Sequence, residues 1–215
     1  MNIYLLAGLG ADKSIFEKLV FPKHCVLNHV GWIDPKPRET LSGYAHRLAR
    51  TIDVTEPYTM IGVSFGGMLA AEIAGFLNPA KTVLISSAAT SRDIPWYYRL
   101  AGKARLHWLL PDWFFTSANA FTYWFFGANS PDSKALLKRT LDETDPRFAR
   151  WALEAMLRWN NPTPPQGLLI MHGDSDRILP CKSRHLPSTI QGGGHLMVFT
   201  HANEVSAKLD IMLKL

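Results

Sequence analysis

The sequence predicts an α/β fold: a mostly parallel β-sheet with helices on both faces, interrupted by one long helical stretch. Three observations predict it. Short apolar runs alternate with segments of helical spacing. Those runs are apolar almost without a break, as strands buried on both faces are, instead of alternating as in a sheet with one wet face. Between Ala89 and Asn161 the alternation stops and only helical patterns remain.

Ile3 to Ala7 is the first strand, closed by Gly8. Ser14 and Glu17 have capping-box spacing, which predicts a helix starting near Ser14. Cys25 to Val30 is the second strand, with Cys25 as a small core residue. Leu41 to Ile52 is helical, with Leu41, Ala45, Leu48 and Ile52 on one face. Tyr58 to Val63 is the third strand. Met68 to Leu77 is small and apolar nearly all round, so this helix is deeply packed, and Asn78-Pro79 stops it. Thr82 to Ser86 and Leu168 to His172 are the fourth and fifth strands, and Leu196 to Leu215 is mostly a final helix. Pro95, Pro111, Pro131 and Pro146 divide the intervening stretch into several helices. Asn161-Pro162-Thr163-Pro164-Pro165 closes it as a stiff connector.

The chain has 215 residues, enough for one domain with a core or one domain carrying an insertion. With 47% hydrophobic and 19% charged residues, it does not read as disordered. The net charge of +5 permits a nucleic-acid partner, but the placement of the charges argues against one. Lys36 and Arg38 sit beside Asp34 and Glu39, and Lys138 and Arg139 beside Asp142 and Glu143. A solvated face explains such mixed groups. Cys25 and Cys181 make neither a disulfide framework nor a metal motif. The first residues lack a basic n-region and a cleavage site, and no stretch reaches the ~20 apolar residues of a membrane span. The expectation is a cytoplasmic protein without stable membrane insertion. The chain carries no signal of oligomeric state.

Gly62-Val63-Ser64-Phe65-Gly66 lies between a strand and a helix, the context of a nucleophile elbow. A serine on so sharp a turn needs small neighbours two residues away on each side, and a helix starting there offers free N–H groups to developing negative charge. By chance the pattern arises in roughly one chain of this length in fifteen, so the strand–turn–helix setting carries the weight. The bland reading is a tight turn with a capping serine. Met171-His172-Gly173-Asp174-Ser175-Asp176 follows the last strand, where an acid can orient an imidazole. The bland reading here is an Asp-rich loop making its own turns. Gly192-Gly193-Gly194-His195 lets a loop carry a histidine over the sheet edge. Against that stands a flexible hairpin with an incidental member of the chain's 8 histidines. His185 and His201 have no such setting and read as surface residues.

The chain order Ser, Asp, His differs from the trypsin-like and subtilisin-like orders. With these motifs the sequence resembles the α/β-hydrolase superfamily over nearly its whole length, in particular compact members with a helical cap. Ile3 to Asp12 resembles the family's first strand and oxyanion loop. Gly62 to Gly67 resembles the elbow, His172-Gly173-x-x-Asp176-x-x-x-Pro180 the acid loop, and Gly194-His195 the histidine loop. The resemblance implies a core of residues 1–88 and 161–215 and a helical cap of residues 89–160 that is not independent. It implies Ser64, Asp176 and His195 as a catalytic triad, taking Asp176 over Asp174, and the backbone N–H groups of Phe65 and Leu9 as oxyanion hole. Many relatives have His-Gly where this chain has Ala7-Gly8; a backbone donor does not depend on that side chain. No metal or organic cofactor is implied.

The reaction so implied is acyl transfer on a small-molecule ester or thioester. The cap is rich in rings: Trp96-Tyr97-Tyr98, Trp108-Leu109-Leu110, Trp113-Phe114-Phe115 and Tyr123-Trp124-Phe125-Phe126. Trp96, Trp124 and Phe125 are candidates to line an apolar acyl pocket; most of the rings are expected to pack the cap onto the core. Three other functions compete. A carbon–carbon bond hydrolase or cofactor-free lyase would use the same three residues. A ligand-binding member would keep the fold with little turnover. A membrane-surface role for the basic, aromatic cap would give liposome binding that weakens with salt; against it, the aromatics are spread over several segments rather than gathered in one stripe.

Overall fold

The computed structural model describes residues 1–181 and 188–214, the side chain of His107 excepted. His185 lies outside the described residues. Six strands form one sheet: β1 (Asn2–Leu6), β2 (Val26–His29), β3 (Tyr58–Val63), β4 (Lys81–Ile85), β5 (Leu168–Gly173) and β6 (Thr189–Ile190). Their spatial order is β2-β1-β3-β4-β5-β6, and every pairing is parallel. Successive side chains of a strand point to opposite faces, and both faces of the inner strands β1, β3 and β4 are buried, whereas the edge strand β2 is mostly exposed. Ile3, Leu5, Ile61, Val63, Val83 and Ile85 pack with the C-terminal helices α8 (Met197–Thr200) and α9 (Ala202–Lys214). Tyr4, Leu6, Met60 and Leu84 pack with α1 (Leu41–Leu48) and α2 (Phe65–Leu77). That is why the strands read as unbroken apolar runs.

Local chemistry sets the helix ends. The Thr40 side chain caps α1 by accepting from the Gly43 amide. Asn78 ends α2 in the left-handed region at φ 49°, which Asn tolerates better than most residues. The chain between β4 and β5 folds as α3 (Trp96–Lys103), a 3-10 turn (Leu106–Leu109), α4 (Asp112–Thr116), α5 (Ala120–Phe126), α6 (Pro131–Glu143) and α7 (Pro146–Leu157). Each of the four prolines stands at a helix start: Pro95 and Pro111 just before α3 and α4, Pro131 and Pro146 as first residues of α6 and α7. The excursion closes on itself, because the Ser91 amide donates to the Asn161 carbonyl at 2.8 Å.

Three expectations change. The helix expected near Ser14 is a single 3-10 turn, Lys13–Phe16, whose cap is Asp12 and not Ser14. Glu17 closes that turn, so the Ser14/Glu17 spacing makes no capping box. Cys25 lies half-buried just before β2 and packs against the rim of one core face. His201 is likewise half-buried, its Nδ1 2.9 Å from the Thr200 hydroxyl. β6 has only two residues, too short to leave a periodic signal.

The sheet order places the site. The chain leaves β1 toward β2 on one side, and β3 lies on the other. The order therefore reverses between β1 and β3, and parallel sheets bind ligands at the carboxyl ends of strands flanking such a switch. Leu6 pairs with Gly62 at those ends, and Gly8 comes up beside Ser64.

Candidate active site

Ser64 occupies φ 51° and ψ −120°, a conformation that costs a non-glycine residue ~1–3 kcal/mol. Its backbone is held on both sides. The amide donates to the Ile85 carbonyl at 3.0 Å, and the carbonyl accepts from the amides of Gly67 and Met68 at 2.9 and 3.2 Å. The Ser87 hydroxyl donates to the same carbonyl at 2.6 Å. The Ser64 side chain is left to project from the turn. Glycine at 66 is a matter of space: a Cβ there would collide with the carbonyls of Leu6 and Ala7.

Asp176 follows β5 and is buried. Its Oδ1 accepts from the amides of Ile178 and Leu179 at 2.9 and 3.0 Å. Its Oδ2 lies 2.9 Å from His195 Nδ1 and 3.1 Å from His172 Nε2. Burial alone would raise this carboxyl, but the His195 imidazole, hydrogen bonds from both histidines and the Leu179 amide outweigh it. The group is held well below the usual carboxylate range. Asp174 is exposed and does other work: its Oδ1 accepts from the Gly192 amide at 2.8 Å, tying the acid loop to the glycine loop.

His195 reaches Asp176 because Gly173 and Gly193 touch backbone to backbone, and a Cβ on Gly173 would collide with the Gly193 carbonyl. Its Nε2 stands 2.8 Å from Ser64 Oγ. Hydrogen placement follows from the partners. An ionised carboxylate only accepts, so Nδ1 carries the hydrogen, and Nε2 is then free to accept from the Ser64 hydroxyl. The same logic puts the His172 hydrogen on Nε2, which lies 2.6 Å from the Leu179 carbonyl. His172 gives one signal in the sequence, a polar residue ending an apolar strand, and that assigns it no role. Phe126 is one ring among many in the stretch 89–160, with no spacing to single it out. It places its ring 5.9 Å from that of His195, and its carbonyl accepts from the Leu196 amide.

Phe65 directly follows Ser64, and the loop after β1 passes Ser64 at Gly8. Phe65 is the first residue of α2, where an N–H has no intrahelical partner. Gly8 lies close enough that a Cβ on it would stand 3.6 Å from Ser64 Cβ. Beyond Phe65 the rings of Trp32, Tyr44, Phe148 and Trp151 form a wall. Trp32 and Trp151 lie 5.8 and 6.0 Å from Phe65, and Phe148 bridges them at 5.5 Å from each. Of the three rings expected near substrate, Trp96 is exposed on α3. Trp124 is exposed beneath the Arg177 guanidinium, 4.5 Å from its ring. Phe125 stacks on Phe121 and meets Phe126 edge-on. Phe125 is thus joined to His195 through one ring, and Trp96 is not. A cleft of about 1320 Å³ opens elsewhere, lined by Arg38, Glu72, Arg150 and Trp159 among others, without Ser64, Asp176 or His195. Among the described residues no group of three or more His, Cys, Asp or Glu is arranged to hold a metal ion.

A sequence model described as "Alpha/beta hydrolase family" matches residues 3–208. The chain belongs to the alpha/beta hydrolase family. Solved structures agree on the fold. An esterase from Thermogutta terrifontis superposes with a TM-score of 0.66 at 17% identity, over 100% of this chain and 89% of its own. An enol-lactonase from Burkholderia xenovorans gives 0.70 at 17%, over 100% and 91%. A bromoperoxidase from Bacillus anthracis gives 0.61 at 18%, over 99% and 91%. No curated protein sequence matches the chain. At these identities the likeness to solved structures is one of fold.

Proposed function

We propose that this member of the alpha/beta hydrolase family is a serine hydrolase that cleaves an ester or thioester with an apolar acyl group, through an acyl-enzyme on Ser64. The observation that carries the reading is the chain of two hydrogen bonds from Ser64 Oγ to His195 Nε2 at 2.8 Å and from His195 Nδ1 to Asp176 Oδ2 at 2.9 Å. Its geometry suits a general base next to a nucleophile. Ser64 Oγ attacks the carbonyl carbon as its proton passes to His195 Nε2. The tetrahedral oxyanion forms beside the amides of Phe65 and Leu9, where donors fixed by the fold need not reorganise. His195 then gives the proton to the leaving oxygen or sulfur. Water repeats the sequence and releases the acid. Asp176 stays ionised throughout and holds the imidazole in one tautomer.

The apolar acyl group is argued from the wall of Trp32, Phe148 and Trp151 against Phe65, and from Phe126 beside His195. The helices between β4 and β5 supply Phe126, Phe148 and Trp151, which is the part of a cap. The likeness to an esterase and an enol-lactonase fits this class of substrate.

Intact-mass analysis after fluorophosphonate treatment tests the reading. One adduct per chain is expected on wild type, none on Ser64→Ala and slowed labelling on His195→Ala. A folded wild type that takes no adduct, or a Ser64→Ala that still takes one, would refute it. p-Nitrophenyl esters test the acyl pocket: octanoyl is expected to react faster than acetyl, and a strict acetyl preference would overturn an apolar pocket.

A further inference from the structure

The segments that carry the exposed rings are separate in sequence but not in space. α3, the 3-10 turn Leu106–Leu109 and α4 all pack against α7. α7 buries Ala152 and Ala155 in the core and sets Leu157 against Gly102 of α3. The three short elements form a layer over one helix, and the outside of the layer is apolar. Trp96 and Leu109 are 74% and 80% exposed; Leu100, Trp108, Trp113 and Phe114 are each at least half exposed. Single exposed apolar residues are ordinary, but six large ones on so short a stretch of chain mark a binding surface.

The charges beside this layer say what would bind. Arg99, Lys103 and Arg105 line a cleft of about 410 Å³ together with Arg158 and Glu154. Glu154 is ion-paired to Arg158. Asp112, the only acid between Trp96 and Thr116, is ion-paired to Arg150. Arg99, Lys103 and Arg105 take no ion-pair partner among the described residues. Tryptophan and other rings projecting beside uncompensated cations match a lipid interface, where the rings lie at headgroup depth and the cations meet phosphates. A second copy of this chain would bring its own cations against these. No described helix is long and apolar enough to cross a membrane, so the contact is peripheral.

We infer that the α3–α4 layer docks this protein on the surface of an anionic phospholipid bilayer, with Trp96, Leu100, Trp108, Leu109, Trp113 and Phe114 in the interface and Arg99, Lys103 and Arg105 on the headgroup phosphates. The inference does not depend on what Ser64 does.

Flotation of the full chain with vesicles tests it. Wild type is expected to float with vesicles of mixed phosphatidylglycerol and phosphatidylcholine, and much less with phosphatidylcholine alone. Raising salt from about 0.1 M to about 1 M cuts the screening length from ~10 Å to ~3 Å and is expected to release it. Lys103→Gln and Arg105→Gln should each lower partitioning about five-fold, the worth of one cation near such a surface. The triple variant Trp108→Ala, Leu109→Ser, Trp113→Ala should lose most binding while unfolding at the wild-type temperature. Fluorophosphonate labelling in lipid-free buffer should be unchanged in all of these variants. Results of two kinds would overturn the inference. One is wild type that stays unbound to anionic vesicles, or a triple variant that binds as wild type does. The other is a dimer in sedimentation velocity that the triple variant dissolves and anionic vesicles do not compete for; the layer would then belong to a second copy.

Discussion

Ser64 stores backbone strain at the point where the chain needs a projecting oxygen, and this separates two effects of replacing it. Ser64→Ala and Ser64→Gly both remove the hydroxyl that donates to His195. Only glycine relaxes at φ 51° and ψ −120°. Both are expected to be inactive, with Ser64→Gly more stable than Ser64→Ala by ~1 kcal/mol in urea unfolding; equal midpoints would mean the elbow is unstrained. Asp176→Asn leaves the shape and removes the charge that fixes the tautomer, and a fall of about 10⁴-fold in kcat is expected. The same carboxyl makes a pH prediction. Its folded-state pKa is depressed, so its stabilisation is present above the unfolded value near ~3.9 and is lost as pH falls below that toward the folded value. Melting temperature measured from pH 7 to pH 3 should drop more steeply for wild type than for Asp176→Asn. Ser64, Asp176 and His195 were legible because each sits in a short pattern that a turn requires. The Ser87–Ser64 hydrogen bond was not, because a bond between loops of different strands leaves no spacing in the chain; nor was the contact between His172 and Asp176, which depends on how the chain turns after β5.

At the scale of elements, prolines and the Asn78-Pro79 stop were the readable signals, and the N-cap at Ser14 was not. The four prolines mark four helix starts. In contrast, Asp12 and not Ser14 is the cap, because the Asp12 side chain reaches the Ser14 amide at 2.9 Å. The most informative departure from pattern is Glu72, a carboxylate on the apolar helix α2. It is buried, and its Oε1 accepts from Trp159 Nε1 at 2.6 Å and Asn161 Nδ2 at 2.9 Å. It thereby pins the end of the helical excursion to the core. Glu72→Ala would leave a buried indole N–H without a partner, and a loss of ~1–3 kcal/mol is expected from urea unfolding. Glu72→Gln keeps an acceptor and should recover most of it. If the two variants unfold alike, the hydrogen bonds are not what Glu72 supplies.

For the whole molecule, the question is whether the helices between β4 and β5 are an accessory or part of the core. Their two ends meet at the Ser91–Asn161 hydrogen bond, so a short glycine linker could replace residues 92–160 with little loop-closure cost. Packing argues that the result would not stand. Ala152, Ala155 and Trp159 are buried in the same cluster as Tyr44, Phe65, Met68 and Leu69. Phe148 and Trp151 lie on Tyr44, with ring centroids 6.4 and 4.5 Å away. Each large side chain stripped of its cover forfeits ~1.5–3 kcal/mol, and several together equal the ~5–15 kcal/mol that holds a domain folded. The chain joined from Ser91 to Asn161 is therefore expected to lose its cooperative thermal transition, bind a hydrophobic dye and take no fluorophosphonate. If it melts near the wild-type temperature, the sheet and its flanking helices are self-sufficient and the excursion serves only to shape access to Ser64. The location of Phe65 argues for the first outcome: the residue uncovered by the deletion directly follows Ser64 and opens α2, so the cover that stabilises this face also holds the elbow in place.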